Sequence, residues 1–135
     1  MPRVRRVELS LAALRSDKRL DLAVVDERTG PAIYIQQPNG TFGERLPLGD
    51  RKSTPYALAV ADVNLDRKVD VIVGNVEAPS VVYFNVDGRM FSPVTFGDNK
   101  GTAYGIAIGD VDEDGVMDIA VARSEAPNVL YFGRR

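Results

Sequence analysis

Oxygen-bearing side chains recur at every second residue in the run Asp62-Val63-Asn64-Leu65-Asp66-Arg67-Lys68-Val69-Asp70, and again in Asp110-Val111-Asp112-Glu113-Asp114-Gly115-Val116-Met117-Asp118. Steps 1, 3, 5 and 9 are Asp62, Asn64, Asp66 and Asp70 in the first run, and Asp110, Asp112, Asp114 and Asp118 in the second. Calcium takes about six to eight hard oxygens in flexible geometry, and a tight loop delivers alternate side chains to one centre. Step 7, Lys68 or Val116, contributes its backbone carbonyl. Three or four carboxylates held this close repel one another unless protons or a cation neutralise them. The expected cofactor is therefore Ca2+. Magnesium demands stricter octahedral geometry and keeps its waters, so it suits an all-protein cage less well. The plain alternative is a pair of solvated acidic turns.

An EF-hand opens with similar spacing but needs a glutamate at step 12 between two helices. Step 12 here is Val73 or Val121, and both flanks alternate like strands. Gly115 at step 6 eases the sharp turn of the later loop, where the earlier loop has Arg67.

Other chemistries find little support. The chain has no histidine to act as base and no cysteine to act as nucleophile. Its close carboxylates read as ligands rather than a glycosidase pair, and nothing marks Lys68 or Lys100 as buried, so the expectation is a non-enzyme. The formal charge is −2, with basic residues in short runs at Arg3 to Arg6 and at Arg134 and Arg135. No basic stripe for nucleic acid emerges. No stretch approaches the roughly 18 apolar residues of a membrane span, so no membrane insertion is expected. Glu8, Ser10, Arg15 and Asp17 interrupt any apolar region behind the basic start, and no export signal is expected in this chain.

The elements that position the acids come from an internal repeat. Asp118 follows Asp70 by 48 residues (118 minus 70), and segment 55–84 aligns without gaps on 103–132. Tyr56/Tyr104, Asp62/Asp110, Asp66/Asp114, Asp70/Asp118, Glu77/Glu125, Pro79/Pro127, Tyr83/Tyr131 and Phe84/Phe132 are among the identical pairs. A weaker copy lies 49 residues upstream of the middle one (70 minus 21), where Leu9, Ala12, Asp17, Asp21, Val24 and Tyr34 match Leu58, Ala61, Asp66, Asp70, Val73 and Tyr83. The 135 residues thus form a single segment of three repeat units, 4–54, 55–102 and 103–135, with a period in the range of propeller blades.

Each unit reads as strands. Ala57–Ala61, Val69–Gly74, Val81–Phe84 and Phe91–Phe96 are short β-branched or aromatic runs. Asp87-Gly88 and Asn39-Gly40 favour the left-handed conformations of tight hairpin turns, which pairs the third and fourth strands. Glu8 to Arg15 has helical propensity, but its register against Ala57 to Asn64 makes it strand and loop. The expected fold is all-β: propeller blades of four antiparallel strands, the last unit lacking its fourth.

The first unit aligns Ala13, Arg15, Asp17 and Asp21 with the four ligand positions, so it loses two ligands and gains a cation. It is not expected to bind calcium. Arg15 either reaches Asp17 or Asp21 in place of the ion, or the loop is simply solvated.

These features resemble the FG-GAP or VCBS-type repeat of integrin alpha-subunit propellers and many bacterial surface proteins. The resemblance is carried by Gly109-Asp-Val-Asp-Glu-Asp-Gly-Val-Met-Asp-Ile-Ala-Val-Ala122 with Val129-Leu-Tyr-Phe-Gly133, and by Ala61 to Gly74. The family's Gly-Ala-Pro turn stands here as Glu77-Ala-Pro79 and Glu125-Ala-Pro127, and its Phe-Gly pair as Phe42-Gly43, Phe96-Gly97 and Phe132-Gly133. The resemblance implies closed propellers of about seven blades, with calcium in the loop joining the first two strands. It also implies a cell-surface or extracellular setting and a role in adhesion or carbohydrate recognition.

Three units cannot close a ring, since propellers need about four to eight blades. The expected solutions are a homo-oligomer, most simply a dimer giving six blades, or a longer propeller of which this is part. A glycan or protein ligand on the loops is the leading expectation, and a structural scaffold with no ligand beyond calcium the alternative. Tyr56, Tyr83, Tyr104 and Tyr131 are the aromatic candidates for a binding surface, with blade packing the stronger reading.

Overall fold

The computed structural model describes residues 7–49 and 52–134. The basic run before Val7, Asp50-Arg51 near the end of the first unit, and Arg135 lie outside them. All described regular structure is β: β1 (Val7–Ala12), β2 (Asp21–Asp26), β3 (Ala32–Ile35), β4 (Glu44–Pro47), β5 (Thr54–Ala61), β6 (Asp70–Val76), β7 (Ser80–Asn85), β8 (Phe91–Phe96), β9 (Thr102–Gly109), β10 (Asp118–Ser124) and β11 (Val129–Tyr131). The helical propensity of Glu8 to Arg15 is overridden by pairing of β1 with β2 from Val7↔Asp26 to Ala12↔Asp21.

The strands group as antiparallel sheets in sequence order, β1-β2-β3-β4 and then β5-β6-β7-β8, followed by β9-β10-β11. One residue pair, Val76↔Thr102, joins the last two groups along their seam. The first strands lie side by side, β1 against β5 and β5 against β9. These are propeller blades stacked face to face.

The middle sheet is apolar on both faces because each face meets a neighbour. Val71 and Val73 of β6 pack into a cluster with Ala23, Val25, Ile33 and Ile35 of the first blade. Ile72, between them, points the other way and packs with Ile119 and Val121 of the third. Period-two alternation thus feeds two cores from one strand. Ile72 and Val73 are fully buried, and burying such side chains contributes roughly 1.5–3 kcal/mol each.

The turns between third and fourth strands differ in detail from the expectation. Only the glycines are left-handed, with Gly40 and Gly88 both at φ 87°. Asp87 and Asn39 are not left-handed; Asp87 Oδ1 accepts the Arg89 and Met90 N–H groups at 3.0 and 2.7 Å, and Asn39 Oδ1 accepts from the Thr41 amide and hydroxyl. Side-chain capping of the turn replaces the second left-handed residue.

A β-bulge falls at the same step of two blades. Tyr56 is passed over between Pro55↔Asn75 and Ala57↔Gly74, and Tyr104 between Ala103↔Arg123 and Gly105↔Ala122. The two rings meet edge to face at 4.7 Å between centroids. A bulge re-aims its extra side chain, and here it brings the repeated tyrosines together across a seam.

Candidate metal centre

Each acidic run joins the first two strands of its blade, β5 to β6 or β9 to β10, and its step-9 aspartate opens the second strand. Asp70 and Asp118 are fully buried there, as is Asp21 in the first blade. The backbone holds Asp70 and Asp118 alike. Asp118 Oδ2 accepts the Val111 N–H at 2.8 Å and Oδ1 the Gly133 N–H at 2.8 Å. Asp70 Oδ2 and Oδ1 accept from Val63 and Asn85, both at 2.9 Å. The carboxylate therefore ties the loop to the end of the third strand.

The step-1 acid shapes the turn. Asp110 accepts the Asp114 and Gly115 N–H groups at 3.1 and 2.8 Å, and Asp62 those of Asp66 and Arg67 at 3.1 and 2.7 Å. Step 5 caps step 7: Asp114 accepts from Val116, and Asp66 from Lys68, at 2.9 Å. Step 6 is left-handed in both loops, at φ 85° for Gly115 and 71° for Arg67, so the turn imposes this conformation even where the residue is not glycine.

Carboxylate oxygens of Asp110, Asp112 and Asp118 lie within 4.8 Å of one another. Partial desolvation first, then the charges of Asp114 and Asp118, raises the pKa of the exposed Asp112 above its ordinary value. Burial likewise raises that of Asp70, with Asp66 and Asp62 adding to it and the N–H groups of Asn85 and Val63 opposing. Among the described residues no cationic side chain pairs with Asp70 or Asp118; the Lys68 ammonium donates instead to the Val86 carbonyl at 2.9 Å. With Asp118 buried, Asp110 half-buried, Asp112 at the surface and no cation paired to Asp118 among the described residues, the triad gathers hard oxygens in a way able to hold a divalent cation. The middle loop carries the same N–H bonds to Asp62 and Asp66, and differs in having the neutral, exposed Asn64 at the step of Asp112, one carboxylate fewer.

The first-blade loop carries its own cation. Arg15 Nε and Nη2 donate to Asp21 Oδ2 and Oδ1 at 3.1 and 2.9 Å, and Nη2 lies 2.9 Å from Asp17 Oδ2. Of the two readings open in the sequence, the ion pair is the one the fold adopts.

Sequence reasoning missed Gln36, Asn85 and Gly133, which close the loops from the end of the third strand through their N–H groups. They share one register position, the only signal, but backbone donation leaves their residue types free to differ.

Together the blade topology and the loop between first and second strands define a propeller-type repeat protein. Models of the FG-GAP-like repeat match residues 14–73 and 62–121, and the chain belongs to this family. Comparison with curated proteins gives no match.

Proposed function

We propose that this chain is a calcium-fastened propeller segment whose rim loops are presented for ligand binding, of the adhesion or carbohydrate-recognition type. The observation that carries the metal reading is the buried Asp118 gathered with Asp110 and Asp112 without a cationic partner among the described residues. The same loop position in the first blade holds a guanidinium. Asp114, with Asp62, Asn64, Asp66 and Asp70 and the Lys68 and Val116 carbonyls, completes the two sets. Calcium supplies the missing positive charge and, by binding only the folded form, stabilises it by about 2.7 kcal/mol per site at a hundredfold excess over Kd. Thermal melting with calcium and with excess chelator tests this, and an unchanged midpoint would refute it. Sites of this kind in extracellular modules work at roughly 10⁻⁴–10⁻³ M calcium, which supports a setting outside the cell. No helix of the described residues is long and apolar enough to cross a membrane.

The segment is completed into a ring by further blades against its two end faces, in the simplest case those of a second copy. Leu9 and Leu11 of β1 are 59% and 58% exposed, whereas their counterparts Leu58 and Val60 pack against the first blade. At the other end Leu130 and Phe132 are exposed, whereas their counterparts Val82 and Phe84 pack toward the third blade. Exposed apolar faces of this kind mark association surfaces. Light scattering is expected to give twice the chain mass of 14.7 kDa, and a monomer at all concentrations would overturn the assembly.

The ligand-binding reading draws on Tyr104, an exposed aromatic on a bulge beside Tyr56. A glycan array blank for the wild type would instead favour the scaffold with no ligand beyond calcium.

A further inference from the structure

We propose that Arg15 is a tethered cation that occupies, in the first blade, the place taken by the ion in the second and third, so that the chain binds two calcium ions and fastens its first loop without metal. The inference rests on the calcium reading above for the two other loops, but its own geometry is independent of it.

Arg15 stands at step 3, in register with Asn64 and Asp112. The rest of the loop keeps the frame of a metal loop. Lys18, at step 6, is left-handed at φ 66°, as are Arg67 and Gly115. Asp17 at step 5 caps step 7 by accepting the Arg19 N–H at 3.0 Å, as Asp66 and Asp114 do. Asp21 Oδ1 accepts the Gln36 N–H at 3.0 Å, matching the bonds from Asn85 to Asp70 and from Gly133 to Asp118. Besides the ligand set, the entry to the loop differs: the Leu14 N–H donates to the Ala12 carbonyl at 3.1 Å, where Val63 and Val111 donate to the step-9 carboxylate, and step 4 is left-handed at Leu65 and Glu113 but not at Ser16.

Into that frame the guanidinium brings directional donors where an ion would bring charge. Nε and Nη2 donate to the two Asp21 oxygens, Nη2 donates also to the Gln36 carbonyl at 3.0 Å, and Asp17 is held by ion pairing. One group thus gathers the step-5 and step-9 carboxylates and a backbone oxygen. With Ala13 at step 1 and Arg15 at step 3, the loop keeps two carboxylates where the third blade's has four. Arg15 is 17% exposed and Asp21 fully buried, so removing the cation strands a buried carboxylate, the costly case for an ion pair. Arg19, at step 7, adds a second contact to Asp17 at 3.1 Å from the rim.

The test counts ions on the full chain by titration calorimetry with calcium chloride, and measures melting in excess chelator. Wild type is expected to bind two calcium ions, and the double variant Ala13→Asp/Arg15→Asp three, because the step-5 cap, the left-handed step 6 and the Gln36 bond to Asp21 are already in place. A folded double variant that still binds two overturns the assignment of Arg15 to the ion's place. Arg15→Met in chelator is expected to lose roughly 5–10 °C of melting midpoint. An unchanged midpoint there overturns the tether. Wild type that takes up no calcium while Arg15→Met still melts early would sink the calcium reading and leave the tether standing.

Discussion

Tyr83 of the second blade rests its hydroxyl on Gly49 of the first, and Tyr131 of the third rests its own on Gly97 of the second. A Cβ at Gly49 or Gly97 would stand 2.6 or 2.5 Å from the phenol oxygen, and both glycines are left-handed, at φ 72° and 82°. Tyr131 also meets Phe96 edge to face at 5.2 Å. The repeated Tyr-Phe strand is thus a docking element between blades, and its partner is the glycine that follows the fourth strand of the blade before.

Gly97→Ala should destabilise the protein by about 2–3 kcal/mol, since strain at positive φ adds to the overlap with Tyr131. Denaturant melts check it. Gly43→Ala, where a Cβ meets nothing within 4 Å, is the control and should change little.

Asn85 links the middle acidic loop to the first blade. Its N–H holds Asp70, its Nδ2 donates to the Leu14 carbonyl at 2.8 Å and the Val69 carbonyl at 3.0 Å, and its Oδ1 accepts the Gly88 N–H at 2.6 Å. Asn85→Ala keeps the N–H bond to Asp70 but orphans the Leu14 and Val69 carbonyls and the Gly88 N–H, and should cost about 2–4 kcal/mol. Hydrogen exchange is expected to rise at Gly88, on the seam with the first blade, with the Asp110 loop unaffected; uniform loosening of all three blades would contradict a local strap.

Left-handed residues other than glycine store strain. Arg67 is at φ 71° and Glu125 at 59°, the latter at the step where the family has the glycine of its Gly-Ala-Pro turn. Arg67→Gly and Glu125→Gly are each expected to stabilise by roughly 0.5–1.5 kcal/mol, less the added entropy of a freer unfolded chain. Paired thermal melts in calcium and in chelator measure both.

The benefit of calcium should depend on pH with a definite sign. Burial holds the Asp70 carboxyl above the ordinary aspartate range, so without metal the folded form takes the proton more readily than the unfolded. That contribution to stability grows as pH falls through the folded pKa and is lost as pH rises. A bound cation requires the charged form and reverses the preference. The calcium-induced rise in melting midpoint is therefore expected to shrink between about pH 7 and about pH 4. A shift constant over that range would argue against Asp70 as a ligand.

Asp118→Asn keeps the size of the side chain but removes the charge from the triad. One of the two calcium sites should disappear from a calorimetric titration while the other is retained, because the loops lie on different blades. Loss of both, with fold intact, would show the sites to be coupled.

Repetition made most of this legible from residues alone. The alignment at 48 residues fixes strand order, loop position and the identity of each acid, because every blade solves the same packing problem with the same alternation. It also overruled the helical propensity of Glu8 to Arg15, which β1 bears out. Asn39-Gly40 and Asp87-Gly88 announced their turns, while the side-chain capping of those turns was not readable from the dipeptides.

What only the tertiary structure decided lies across the seams and inside the first loop. Asn85 reaches Leu14 71 residues away, and Arg89 pairs with Glu44 through two bonds of 2.8 and 2.9 Å between turn and outer strand. Neither contact repeats along the chain, so no internal alignment reveals it. The choice of Arg15 between solvent and Asp21 was equally closed to sequence, because it depends on the carboxylate being buried. Periodicity states which residues are equivalent; burial and distance decide which of them must find a partner, and from where.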